Sequence, residues 1–168
     1  MGHLGKVVAA FALIATVAAS ALAPDPVMVE IGINAAYDAQ CAALVAGDAD
    51  AWAKTLAIGF IPTMPNGKTG DAKTAHDGVA VLLSSAKIEK CRILPESIHL
   101  DGTDAGAVVA VTMSGTQTGG KSIAIEQHAV DRWTPSSDAW LQKSSTVSEQ
   151  TVYIDGRVPQ HSTAKGQS

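Results

Sequence analysis

The chain has 168 residues, 46% of them hydrophobic and 17% charged, with a formal net charge of −4. That length suits one domain able to bury about two-thirds of its unfolded surface without a metal or many cross-links. A mildly acidic chain with no basic block offers little to a phosphate backbone, so nucleic acid is excluded as an expected partner.

Residues 1–23 carry a single lysine, Lys6, then an apolar run and Ala21-Leu22-Ala23. This is the pattern of a signal peptide with an Ala-x-Ala cleavage site near Ala23, so the mature protein is expected to be exported, either periplasmic or extracellular. The apolar run is shorter than the roughly 18 residues that suggest a membrane span, and no later stretch qualifies, so no stable membrane insertion is expected. In an exported protein disulfides persist. Cys41 and Cys91 therefore either form one bridge or sit as two small buried side chains. Widely separated and accompanied only by scattered histidines, they lack the spacing of a metal site, and neither metal nor cofactor is expected.

The apolar spacing predicts a long helix over 27–46. Ile33, Tyr37, Cys41 and Leu44 form one stripe, and Ile31, Ala35, Ala39, Ala42 and Val45 form a second, which predicts that much of the helix is covered. Gly47 supplies its stop. Asp48 then caps a short helix over 49–57 that presents Trp52 and Leu56 on one face. A brief strand at 59–61 runs into a turn at Pro65-Asn66-Gly67. A third helix over 71–85 has Ala75, Val79, Leu82 and Leu83 as its apolar face, with His76 reading as a surface or cap contact. Beyond it the period becomes alternating. Runs over 88–100, 107–118, 122–133 and 139–153 are separated by turn chemistry, and Pro95 implies an edge strand or a bulge in the first. Helices followed by an antiparallel meander make an α+β pattern. The expected domain spans 24–154, and the polar residues 155–168 read as a flexible tail.

The segments AALVAGDADAWAKTL, GF-x-x-x-x-PNGK, HAVDRW and SSDAWLQKSS, in this order and spacing, resemble the nuclear transport factor 2-like superfamily, and within it the SnoaL-like, polyketide cyclase-like branch. The resemblance covers about 27–152. It implies a cone in which N-terminal helices pack on a strongly curved antiparallel sheet, an apolar pocket at the open end, and a homodimer. It does not imply one reaction, because that scaffold hosts isomerases, dehydratases, cyclases and non-catalytic binding modules.

Tyr37 lies on the helical stripe that would face the cone. Its phenol either donates to a ligand carbonyl, in an oxyanion-stabilising role, or is a core tyrosine with a satisfied hydroxyl. His128 stands where family members more often carry Arg. Strand alternation puts Glu126, His128 and Arg132 on one face and Ile125, Gln127, Ala129, Asp131 and Trp133 on the other, so His128 and Asp131 should not form a catalytic pair. If the His128 face lines the cone, it is an acid–base site; if it points outward, it is solvated or a dimer contact. Trp52, Phe60, Met64 and Trp133 are the candidate ring around a hydrophobic ligand. The paired acids of an isomerase and the G-x-S-x-G elbow of a serine hydrolase are not recognisable. The leading expectation is an exported domain that binds a small, largely apolar molecule. The alternatives are a SnoaL-like acid–base enzyme acting on a carbonyl compound through Tyr37 and His128, and a non-catalytic interaction module.

Overall fold

The computed structural model of the chain describes residues 24–163. The expected signal peptide and residues 164–168 lie outside the described residues. Helix α1 (Pro26–Ala46) starts where the Asp25 carboxylate accepts the Val27 N–H and ends at Gly47, whose positive φ of 73° lets its N–H turn back onto the Ala43 and Leu44 carbonyls. Helix α2 (Ala49–Ala53) is capped by Asp48, as expected, and leads into strand β1 (Leu56–Thr63). Helix α3 (Ala72–Ser85), capped by Asp71, precedes strands β2 (Ala86–Asp101), β3 (Asp104–Gln117), β4 (Ser122–Pro135), β5 (Trp140–Ile154) and β6 (Arg157–Thr163).

The six strands form one curved sheet in the order β1-β5-β4-β3-β2, with β6 also on β5. The fold class is α+β, with the N-terminal helices against the sheet. Pro95 proves to be at both an edge and a bulge, since β2 borders the sheet and its register slips between Pro95 and Ser97.

Four expectations are corrected. Helix α2 stops at Ala53 rather than residue 57, because the Thr55 carbonyl is taken by the Gln142 N–H and the chain leaves the helix to pair with β5. The sheet is not wholly antiparallel, since β1 runs parallel to β5. The expected frayed tail contains β6, which covers β5 from Glu149 to Ile154, where β1 no longer reaches. The second α1 stripe is exposed, with Ile31 55% and Val45 43% accessible, so the helix is covered on one side only.

The covered side is the first stripe. Val29, Ile33 and Tyr37 pack into Ala105, Ala107, Val109, Ala129, Trp133 and Val147 from β3, β4 and β5. Small residues in the sheet let the large ones of the helix sink in, and Trp140 lies so close over Gly32 that a Cβ there would come within 2.5 Å of the indole. Helix α3 has no fully buried residue. Its apolar residues Ala75, Val79 and Leu82 form one wall of the cavity described next, and Leu82 also packs against Ala86, Ile123 and Ile125 of the sheet.

Candidate functional site

Between the last turns of α1, α2, β1, α3 and the inner face of the sheet lies a cavity of about 690 Å³, within the range of small-molecule sites. Most of its wall is apolar. Trp52, Phe60 and Met64 line it, together with Leu82, Ile93, Val109, Val111, Met113 and Ile125. Two charged residues face it, Asp131 from β4 and Lys68 from the loop after β1.

Asp131 is 3% exposed, and alternation along β4 puts it on the apolar inner face beside Ala129 and Trp133. Its Oδ2 accepts the Tyr37 hydroxyl at 2.8 Å, and the Tyr37 oxygen in turn accepts the Trp133 indole N–H at 3.0 Å. The Tyr37 and Trp133 rings meet edge to face with centroids 4.8 Å apart. Asp131 Oδ1 has no hydrogen-bond partner among the described residues. Burial raises the carboxyl above the usual carboxylate range, and the nearby Ser145 hydroxyl, Tyr37 hydroxyl and Gln142 amide act against that rise without reversing it. The Tyr37 phenol is raised as well, by burial first and then by the Asp131 charge beside it, so it stays protonated and serves as a fixed donor.

Gln142, beside this carboxyl, is itself held by a second amide. Gln40, 3% exposed, donates to Gln142 Oε1 at 2.9 Å and to Thr55 Oγ1 at 3.1 Å. A buried carboxyl held by Tyr37 at one oxygen, with Ser145 and Gln142 close by, lies in the cavity lining, where it can act on a bound molecule. With its affinity for protons raised, it can also exchange one with a bound molecule.

The candidates from sequence separate cleanly. Trp52, Phe60 and Met64 line the cavity; Trp133 does not, because it is fully buried in the core beneath Tyr37. Tyr37 does not line it either, and its hydroxyl is committed to Asp131. This corrects the oxyanion role, since no free donor remains for a ligand. His128 is also corrected as a cavity base. It lies on the outer face, 51% exposed, with Nδ1 3.7 Å from a Glu96 oxygen. His76 bridges helices, its Nε2 2.8 Å from Asp50 of α2. Cys41 and Cys91 form a disulfide that ties α1 to β2.

Asp131 was missed as a site residue, although a readable signal existed. It is the only carboxylate on the face of 122–135 that otherwise carries Ile123, Ile125, Ala129 and Trp133. Gln40, Gln142 and Ser145 carried no comparable signal, because their strands and helix meet only in the folded chain.

No family model and no curated protein matches the sequence. Solved structures do match its shape. A conserved protein from Planctomyces limnophilus superposes with a TM-score of 0.64 at 13% identity, covering 71% of this chain and 94% of that one. A type 2 hexachlorocyclohexane dehydrochlorinase, LinA, gives 0.56 at 12% identity over 83% and 91% of the two chains. An NTF2-like protein from Cytophaga hutchinsonii gives 0.54 at 11% identity over 74% and 98%. With helices on one face of a curved sheet and a cavity between them, this chain has the nuclear transport factor 2-like fold.

Proposed function

We propose that the protein binds a small, largely apolar molecule inside the cone, with Asp131 as its polar anchor. The observation that carries this reading is Asp131, a buried carboxyl whose Oδ1 has no hydrogen-bond partner among the described residues, in the lining of a cavity otherwise mainly aliphatic and aromatic. An unpaired buried acceptor costs on the order of 1–3 kcal/mol, and a ligand donor would recover that cost.

A second reading is supported by the raised proton affinity of the same carboxyl. On it, the protein is an acid–base enzyme acting on a carbonyl compound, with Asp131 moving the proton and Tyr37 holding Asp131 in place. A pure interaction module is less well supported, since the cone is not filled by its own side chains. The working form is exported and dimeric on this proposal. Residues 1–23 and the Cys41–Cys91 bridge support export.

Native mass spectrometry of protein purified through its export pathway tests the binding reading. A retained small molecule that is lost from Asp131→Leu is the expected result. Retention unchanged in that variant would place the ligand elsewhere and end the proposal. Turnover of a carbonyl-compound panel by the wild type and not by Asp131→Asn would favour the enzyme.

A further inference from the structure

The register of the sheet arranges its inner face in rows, several of whose residues line the cavity. Across β3, β4 and β5, Asp131 pairs with Ala107 and Ser145, Ala129 with Val109 and Val147, Gln127 with Val111 and Gln150, and Ile125 with Met113 and Val152. The rows therefore alternate in chemistry. A polar station at Asp131 and Ser145 is followed by an apolar row, then by a second polar station at Gln127 and Gln150, then by another apolar row. Gln127 and Gln150 are half-buried, face each other across neighbouring strands and line the same cavity as Asp131. Gln40 is committed to Gln142 and Thr55, whereas the Gln127 and Gln150 amides bond to no other described residue.

We propose that the cavity selects an elongated ligand with two neutral polar ends and an apolar middle. A hydroxyl would sit at Asp131, and a carboxamide or similar donor–acceptor group would sit between Gln127 and Gln150. This rests on the reading of the cone as a binding site and adds to it a second subsite and a length. Four residues of strand separate the two stations, about 13 Å at the usual rise per residue. Each end has a chemical reason. A hydroxyl can donate to the Asp131 carboxyl when the acid is ionised and accept from it when protonated. Two facing amides offer donors and acceptors together, which suits another amide and gives no charge to pair with an ionic group. Val109 and Ala129, in the cavity lining between the stations, favour a hydrocarbon there.

The test is calorimetric titration of the full mature chain with a ten-carbon chain carrying a terminal hydroxyl and a terminal amide (ω-hydroxydecanamide), with decanol, and with the short ω-hydroxybutanamide. The expected result is that the long hydroxyamide binds at least tenfold tighter than decanol or the short hydroxyamide. That advantage should disappear in Gln127→Leu/Gln150→Leu while decanol affinity holds, and should fall part-way in each single Gln→Ala variant; retained decanol binding shows that the variants fold. Equal binding of decanol and the long hydroxyamide, or an advantage that survives the double variant, overturns the second subsite and leaves the apolar pocket standing. Failure of all three probes to bind overturns the binding reading itself, and the subsite with it.

Discussion

Asp131 combines two costs that a structural residue would avoid. It is a carboxyl nearly without exposure, and one of its oxygens has no partner. Its folded pKa is raised, so the protonated form is the one the fold prefers. The associated stability is complete below the ordinary carboxylate range and is lost as pH rises through the raised value. Asp131→Asn keeps an oxygen to accept the Tyr37 hydroxyl and removes the ionisation. We expect it to be more stable than the wild type at pH 8 by about 1 kcal/mol, a few degrees in Tm, with the gap closing towards pH 4. Calorimetric melts of both proteins across that range check it; a gap that widens on acidification would reverse the sign of the argument. A gain in stability paired with a loss of ligand would mark a residue kept for function.

At the scale of elements, two links tie the helices to their neighbours. The disulfide joins α1 to β2 across 50 residues of chain. Reduction should cost roughly 2–4 kcal/mol by relaxing the unfolded chain, read as a lower urea midpoint in the presence of reductant. The other link is His76, through which α3 contacts α2. Asp50 from α2 and Asp77 from α3 both lie against its ring and raise its pKa, while Lys73 pairs with Asp77 from the preceding turn. Its raised pKa means the contact is fully made below the ordinary histidine range and is lost as pH rises through the folded value. The His76 ring should therefore titrate by NMR above an ordinary histidine, and Asp50→Asn should lower it. These elements were largely legible in the sequence. Asp48 as a cap, Gly47 as a stop and Pro95 at an edge all follow from local chemistry that tertiary contacts did not overrule. The end of α2 was not legible, because the group that stops it, the Gln142 N–H, is far away in the chain.

For the whole molecule, the least expected part is β6. Ending the chain after Ile154 would uncover the β5 edge from Glu149 to Ile154 and release Thr151 Oγ1 from His161 Nδ1, now 2.7 Å apart. We expect that truncated protein to melt lower and to aggregate on heating, as exposed strand edges do. Light scattering during a thermal ramp checks this. By itself the sequence determined the order and kind of the elements as far as β5 and the buried stripe of α1, because period, caps and turn residues act over a few neighbours. It also put Asp131 and His128 on opposite faces, since alternation is a property of one strand. Only the tertiary structure decided which face turns inward, that Tyr37 would serve Asp131 rather than a ligand, and that Trp133 would lie under the cavity rather than around it. It also brought Gln127 and Gln150 together across two strands. Those outcomes depend on register and on helices docking over distant strands, and a pairing between residues far apart in the chain leaves no periodic trace in either segment alone.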